Sequence, residues 1–185
     1  MKEIINQVIE ENRKVLSRVN IKDIENLAKK VLNAKRIFIT GTGRSGLIGK
    51  VFAMRLMHSG YNVFVTGETI TPSITENDLL IVVSGSGSTR SLNEFAVKAR
   101  EIGADSALIT TNGESPIGKI SEHVVVIPAA TKNRLPGEPE TIQPLGSQFD
   151  QAAHLLLDAL VIYLLNNQSN KQGSAELNQT HANLE

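Results

Sequence analysis

The chain has 185 residues, no cysteine, and equal numbers of basic and acidic side chains, so its formal net charge is zero. A balanced charge gives no general attraction to nucleic acid or to a membrane surface. The lack of cysteine excludes a disulfide framework and thiolate chemistry. No apolar run approaches the roughly 18 residues that a membrane helix needs, and the N-terminus has no apolar signal core. We therefore expect one cytoplasmic domain over residues 1–185.

Two amphipathic helices are predicted before the first strand. Apolar side chains recur at helical spacing over residues 2–19 and again over about 22–33, with charged side chains on the remaining faces. A doubly wound sheet does not require these helices, which make up an N-terminal region over residues 1–34. Either they cover a face of the sheet or, as we prefer, the first helix packs against another subunit.

Residues 35–167 alternate short apolar runs with helical patterns, which predicts an α/β core with a parallel sheet covered on both faces. With right-handed crossovers, the compact solution is a flavodoxin-like, doubly wound sheet of five strands in the order 2-1-3-4-5. A long C-terminal helix is predicted over about 147–166. The predicted strands are 36–40, 61–66, 79–84, 105–110 and 123–127, and the helices between them end near 58, cover about 89–102 and lie near 116–121.

The segment 128–146 separates the last strand from the last helix and has no regular periodicity. It contains four prolines and the basic residues Lys132 and Arg134. A loop of this length inside a compact domain is more often functional than not. We interpret it as a lid over a crevice, with a disordered surface excursion as the alternative. The polar tail, residues 168–185, is expected to be disordered on composition.

Two loops rich in glycine and hydroxyl residues follow two of the predicted strands. GTGRSG follows the first strand at 41–46, and SGSGST follows the third at 84–89. Each leads into a helix, whose N-terminus offers free backbone N–H groups and a positive dipole end to an anion. In the predicted order these strands are neighbours at the switch point, where ligands bind. The predicted binding residues are Gly43, Arg44, Ser45, Ser84, Ser86, Ser88 and Thr89.

A dinucleotide site is an alternative for the first loop, which matches G-x-G-x-x-G, with Glu68 where a ribose-binding acid would lie. The second loop, however, would occlude or duplicate a pyrophosphate site there. A P-loop is excluded because no lysine follows at the required spacing. The four histidines are too scattered to suggest a metal site. The two loops therefore favour a small phosphorylated ligand held by neutral donors and one or two cations.

Further motifs accompany the two loops: RLMHSG at 55–60, GETITP at 67–72, TIQPLGS at 141–147 and the terminal HANLE. Together they resemble the 6-phospho-3-hexuloisomerases, a family within the sugar isomerase (SIS) domain superfamily. The resemblance covers nearly the whole chain and implies an SIS-type fold. It implies interconversion of D-arabino-hex-3-ulose 6-phosphate and fructose 6-phosphate in the ribulose monophosphate pathway of formaldehyde fixation or pentose supply. It also implies homotetramers with shared active sites and no cofactor.

The reaction moves a proton between neighbouring carbons through a cis-enediol, which one carboxylate or imidazole can do if donors meet the oxyanion and water is excluded. Ser88 and Asp150 stand where relatives often have glutamate. This leaves the acid and base unassigned. The candidates are Asp150, Glu68, His58 and His181, with His154 one helical turn beyond Asp150 to orient it.

Each candidate base has an ordinary structural alternative. Asp150 could cap the last helix, because Ser147 and Asp150 imitate a capping box. Glu68 could be a solvated loop acid, and His58 could be a cation favoured at its helix end. His181 has its place in the family-like terminus, which suggests docking over a site, perhaps on another subunit. The alternatives to an isomerase are a non-catalytic sugar-phosphate-binding SIS module and an NAD(P)-binding protein.

Overall fold

The computed structural model describes residues 1–167, which contain five strands and five helices. The strands pair in parallel in the order β2-β1-β3-β4-β5, which confirms the predicted α/β fold class and strand order. The strands are β1 Ile37–Gly41, β2 Val63–Val65, β3 Leu79–Val83, β4 Asp105–Thr110 and β5 His123–Val126, and the helices are α1 Lys2–Leu16, α2 Ile21–Asn33, α3 Gly43–His58, α4 Arg90–Ile102 and α5 Ser147–Asn167.

The sheet is covered on both faces, as its composition predicts. All five residues of the central strand β3 are buried, which explains why LLIVV is continuously apolar rather than alternating. On one face α2, α3 and α5 build the larger core cluster around residues such as Leu27, Phe52 and Leu157. On the other face α4 packs through Leu92 and Ala96 against Leu80 and Leu108 of the sheet. A sheet buried on two faces exposes its functional surface at the strand ends.

Helix α1 packs on α5 rather than on the sheet. Asn12 is 4% exposed and donates from Nδ2 to Gln151 Oε1 at 2.9 Å, while Val15 is buried in the larger core cluster. The N-terminal half of α1 leaves Ile4 and Ile9 exposed to 53% and 61%. The described chain therefore supplies no cover for that half, and its packing against another subunit stays a prediction. Within residues 1–167 no helix combines the length and hydropathy needed to cross a bilayer.

The predicted short helix near 116–121 is wrong. The segment forms consecutive hydrogen-bonded turns instead. Ile117 is fully buried, and its backbone N–H donates to Gly87 O at 3.1 Å, across to a different loop. A side chain at Gly118 would overlap the carbonyl of Gly113, so this turn lies directly against the preceding chain. Periodicity over six residues could not distinguish this anchored turn from a helix. The second strand is also shorter than predicted, Val63–Val65 instead of 61–66.

The register of the sheet places the two glycine loops side by side. Gly41 at the end of β1 is level with Val83 at the end of β3. Helix α3 begins so close to β1 that a Cβ on Gly46 would lie 2.7 Å from Gly41 O. Only glycine permits this close approach of two backbones. Both loops thus open at the switch point of the strand order, where doubly wound sheets bind ligands.

Candidate active site

A cavity of about 870 Å³ opens at the carboxyl ends of β1 and β3. We call it the main cavity. Its lining comes from both glycine loops, the turn after β4, the segment 128–146 and the first turn of α5. Its volume is in the range of small-molecule sites. The lining residues used below are Arg18, Gly43, Ser45, Ser84, Ser86, Ser88, Thr89, Lys132, Glu138 and Asp150.

The loop 84–89 presents hydroxyls and a helix N-terminus to the main cavity. Ser84 Oγ accepts from Gly87 N at 3.2 Å, and Ser86 Oγ accepts from Ser88 N at 3.3 Å. Thr89 is the N-cap of α4, but its side chain makes no capping hydrogen bond. The first N–H groups of α4 are therefore left for a ligand, and an anion is the ligand that this end of a helix favours.

The same loop is held rigidly from β4 and the turn that follows it. The hydroxyls of Thr110 and Thr111 both donate to Gly85 O, at 3.1 and 2.8 Å. Gly87 has a φ of +58°, and a Cβ there would overlap the side chain of Ser115. The glycine is thus required both by its backbone conformation and by a close neighbour. A loop fixed in this way holds its donors in place before a ligand arrives.

The loop 41–46 contributes a second helix start. Thr42 is the N-cap of α3 and likewise makes no side-chain capping hydrogen bond. Gly43, with a φ of +56°, and Ser45 both line the cavity. The hydroxyl of Ser45 does not face solvent freely, because it donates to Asp150 Oδ1 at 2.7 Å. This contact joins the first loop to α5.

Asp150 is the carboxylate that the fold brings to the two loops. Only 5% of it is exposed, yet it lines the main cavity. Arg44 Nε lies 3.5 Å from Asp150 Oδ2, and Arg44 Nη1 donates to Ser147 Oγ at 3.3 Å. Burial raises the pKa of Asp150 above its ordinary value, although the Ser45 hydroxyl and the Arg44 charge act to lower it. A carboxylate with a raised pKa beside a ligand cavity is suited to proton transfer.

The segment 128–146 forms the opposite wall of the main cavity and is held by side chains. The carboxylate of Glu138 accepts from Thr131 N at 2.8 Å and from Thr131 Oγ1 at 2.7 Å. The guanidinium of Arg134 donates to the carbonyls of Thr131, Gln143 and Leu145. The segment therefore has a defined conformation in the absence of strand or helix, and its motion as a lid stays a prediction.

Helix α1 holds this wall from outside through Glu11. Its carboxylate accepts from Thr141 Oγ1, from Ile142 N at 3.0 Å and from Gln143 Nε2 at 3.1 Å. Burial would raise the pKa of Glu11, but these hydrogen bonds outweigh it and leave the pKa below its ordinary value. The charged form of Glu11 is thus the form that keeps residues 141–143 in place.

The other candidate bases lie elsewhere in the chain. Glu68 is exposed and pairs with Lys50 Nζ at 2.6 Å, and His58 is buried at the end of α3; neither lines the main cavity. His154 Nε2 lies 3.5 Å from Asp158 Oδ2 rather than against Asp150. His181 lies outside the described residues. The cavity therefore gathers the predicted binding residues and one predicted base, with Arg44 just behind Asp150.

Sequence reasoning missed two charged residues of the cavity. Glu138 lies in the proline-rich segment, where only the basic residues drew attention, and its proximity to that segment was the available signal. Arg18 lines the cavity from the turn after α1, and nothing in its sequence surroundings indicates a ligand. No group of three or more histidine and acidic side chains within residues 1–167 is arranged to hold a metal ion.

Comparison with known proteins identifies the class of this fold and site. The sequence model of the SIS domain family matches residues 30–155, the stretch that contains the sheet, both glycine loops and Asp150. A 3-hexulose-6-phosphate isomerase of Bacillus subtilis is 39% identical over 185 residues, covering 99% of this chain and 98% of the relative. One from Mycobacterium gastri is 39% identical over 169 residues, covering 91% of this chain and 83% of the relative.

A solved structure gives the same result. The crystal structure of a hypothetical protein from Methanococcus jannaschii has a TM-score of 0.85 and 30% identity, and the match covers all of this chain and 99% of that one. Its description infers for that protein a molecular function of 3-hexulose-6-phosphate isomerase. The chain described here belongs to the SIS domain family and, within it, to the family of the 3-hexulose-6-phosphate isomerases, which is another name for the 6-phospho-3-hexuloisomerases.

Proposed function

We propose that the chain interconverts D-arabino-hex-3-ulose 6-phosphate and fructose 6-phosphate, with Asp150 as the base. The observation that carries the proposal is the position of Asp150, a buried carboxylate with a raised pKa that faces the main cavity and accepts a hydrogen bond from the first glycine loop. Several relatives similar over most of the chain carry the name of this isomerase, which fixes the substrate class.

The phosphate binds at the loop 84–89. The free N–H groups of α4 and the hydroxyls of Ser84, Ser86, Ser88 and Thr89 supply its donors. Hydrogen bonds to a charged group contribute about 1.5–3 kcal/mol each, so three or four suffice for micromolar-range binding after the costs of association. The sugar chain then lies toward the loop 41–46, where Gly43, Arg44 and Ser45 meet its oxygens.

The proton transfer follows from this placement. The base removes the proton from C2 of the hexulose, electrons move toward the C3 carbonyl, and a cis-enediol forms. Returning the proton to C3 while the C2 hydroxyl becomes a carbonyl gives fructose 6-phosphate. The free N–H groups at the start of α3 stabilise the oxyanion, and the wall 128–146 keeps water away. Glu68, His58 and His181 remain candidates only if another subunit or the tail brings them to the cavity.

We also propose the assembly and setting that the family resemblance implies. The exposed isoleucines 4, 5 and 9 on α1, at 53%, 52% and 61% exposure, support association with further copies of the chain, since apolar patches on one helix favour such contacts. A homotetramer with shared active sites, acting without a cofactor in the cytoplasm, is the proposed form, and the whole chain is one domain. The pathway is formaldehyde fixation or pentose supply by ribulose monophosphate.

One experiment tests the reaction. The purified protein is incubated with fructose 6-phosphate in D₂O, and NMR follows both the deuterium content of the sugar carbons and the appearance of the 3-ketose. A 2,3-enediol exchanges the proton at C3, whereas an aldose-ketose isomerase working through a 1,2-enediol exchanges at C1. We expect deuterium at C3 together with the new ketose.

The other outcomes separate the alternative functions. Exchange confined to C1 would replace the proposed reaction by an aldose-ketose isomerisation. Saturable binding of fructose 6-phosphate without exchange or product, by folded protein, would indicate a non-catalytic sugar-phosphate-binding module. Saturable NAD(P) binding would favour the dinucleotide alternative, which the loop 84–89 disfavours.

A further inference from the structure

Arg18 occupies the point where the main cavity meets a second one. The second, which we call the side cavity, has a volume of about 650 Å³ and lies between α1 and residues 139–142. Arg18 and Pro139 line both cavities. Arg18 is thus the residue of the α1–α2 turn that reaches the proposed substrate site, although it is distant from both glycine loops in sequence.

The backbone beneath Arg18 is fixed while its side chain stays exposed. Val15 and Val19, on either side of it, are 2% and 6% exposed and belong to the larger core cluster. The backbone N–H of Arg18 donates to Val15 O at 3.1 Å, which closes the end of α1. A long cationic side chain that starts from a buried, hydrogen-bonded turn loses less freedom on binding than one on a mobile loop.

The other arginines near the main cavity are already engaged. Arg44 lies against Asp150 and Ser147, and Arg134 holds backbone carbonyls of its own segment. The guanidinium of Arg18 makes no hydrogen bond or ion pair to any side chain of residues 1–167. Lys132 is the second cation of the lining, but it lies in the exposed part of the segment 128–146.

A phosphate dianion needs more than the neutral donors of the glycine loops. Two carboxylates, Glu138 and Asp150, also line the main cavity and oppose the entry of an anion. A planar guanidinium can place two parallel N–H groups on a phosphate, a geometry that a lysine ammonium lacks. The guanidinium of Arg18 supplies this group at the edge of the cavity.

We propose that Arg18 is a substrate-binding residue that selects phosphorylated over unphosphorylated sugars. The proposal rests on the function proposed above, because it assigns the recognised anion to the substrate of that reaction. Arg18 acts on binding and not on the proton transfer, since the base and the oxyanion donors come from α5 and α3. It therefore affects KM for the sugar phosphate far more than kcat.

The test compares Arg18→Gln with Lys14→Gln. Lys14 lies one helical turn earlier and lines only the side cavity, so the two variants lose the same charge from the same helix. One charge-assisted hydrogen bond at an exposed site corresponds to a change of about tenfold. We expect Arg18→Gln to raise KM for the sugar phosphate about tenfold with kcat within twofold, and to weaken the dependence of KM on salt. Lys14→Gln should leave KM within twofold, and Arg18→Lys should recover part of the loss.

Equilibrium binding makes this test independent of turnover. Titration calorimetry with fructose 6-phosphate, fructose and inorganic phosphate is carried out on the wild type and the three variants. Loss of affinity for the two phosphates in Arg18→Gln alone supports the proposal, even if the wild type fails the exchange experiment and the isomerase assignment falls. Equal losses in Arg18→Gln and Lys14→Gln, no loss in either, or no saturable binding of fructose 6-phosphate to the wild type would overturn it.

Discussion

The two sides of the main cavity are built in different ways. The loops 41–46 and 84–89 are fixed by the ends of neighbouring strands, by glycines and by hydrogen bonds to the backbone. The opposite wall, 128–146, is outside the sheet and is fixed by the carboxylates of Glu11 and Glu138 and the guanidinium of Arg134. Topology therefore determines the side that carries the chemistry, whereas a few long side chains determine the side that encloses it. Changes to the two sides should have separable effects.

The largest effect is expected at Asp150, which joins α5 to the first glycine loop. Asp150→Asn keeps an oxygen for the hydroxyl of Ser45 but cannot accept the substrate proton. A positioned general base contributes roughly 10²–10⁴-fold to rate. We expect kcat to fall by about that factor while calorimetry shows fructose 6-phosphate binding retained.

The matched control is Asp158→Asn, on the same helix, where the carboxylate is exposed and lies near His154. It should leave turnover within twofold. Unchanged turnover in Asp150→Asn would remove this residue from the mechanism and direct attention to Glu68, His58 and His181.

The next largest effect compares a glycine from each side. Gly87 and Gly137 both have a positive φ, +58° and +87°, but a Cβ on Gly87 would overlap Ser115, whereas a Cβ on Gly137 would meet nothing within 4 Å. The strained backbone alone costs about 1–2 kcal/mol, and forced overlap adds about 1–3 kcal/mol. Gly87→Ala should lower the free energy of unfolding by about 3 kcal/mol and Gly137→Ala by about 1 kcal/mol, measured by urea denaturation. Equal losses would mean that the two sides are equally rigid.

A smaller effect is expected when the wall is released from α1. Glu11→Gln removes the charge that accepts from Thr141, Ile142 and Gln143, and Glu10→Gln is the control, since Glu10 pairs only with the exposed Arg13 on the same helix. We expect KM to rise several-fold in Glu11→Gln, by about 1 kcal/mol in binding, because a glutamine oxygen keeps part of the hydrogen bonding. Hydrogen exchange at the Ile142 amide should accelerate while the exchange of β3 amides stays unchanged. An unaltered Ile142 amide would show that the wall does not depend on Glu11.

The same contrast explains what the sequence could predict. The strand order, both glycine loops and their meeting at one edge follow from periodicity and from the geometry of parallel sheets. The position of Asp150 beside Ser45 was foreseen only as a candidate, because no local pattern distinguishes a helix cap from a base. The contacts of Glu11 with residues 141–143 span about 130 positions of the chain, and the reach of Arg18 into the cavity depends on how α1 packs on α5. Such contacts are set by tertiary packing and leave no periodic signal.

The smallest predicted effect concerns pH, and it has opposite signs at the two carboxylates. The pKa of Asp150 is raised by burial above its ordinary 3.8, so the folded state binds more protons than the unfolded state between the two pKa values, and stability falls as pH rises through that window. The pKa of Glu11 is lowered from 4.5, so its contribution is present above that value and is lost as pH falls through the folded pKa.

These signs can be measured by urea denaturation at a series of pH values. Asp150→Asn should remove the loss of stability above pH 3.8 and leave the acid side unchanged. Glu11→Gln should flatten the acid side and leave the region above pH 5 parallel to the wild type. If both variants changed the same limb, the two carboxylates would belong to one coupled site, because independent groups with opposite shifts must act on opposite limbs of the curve.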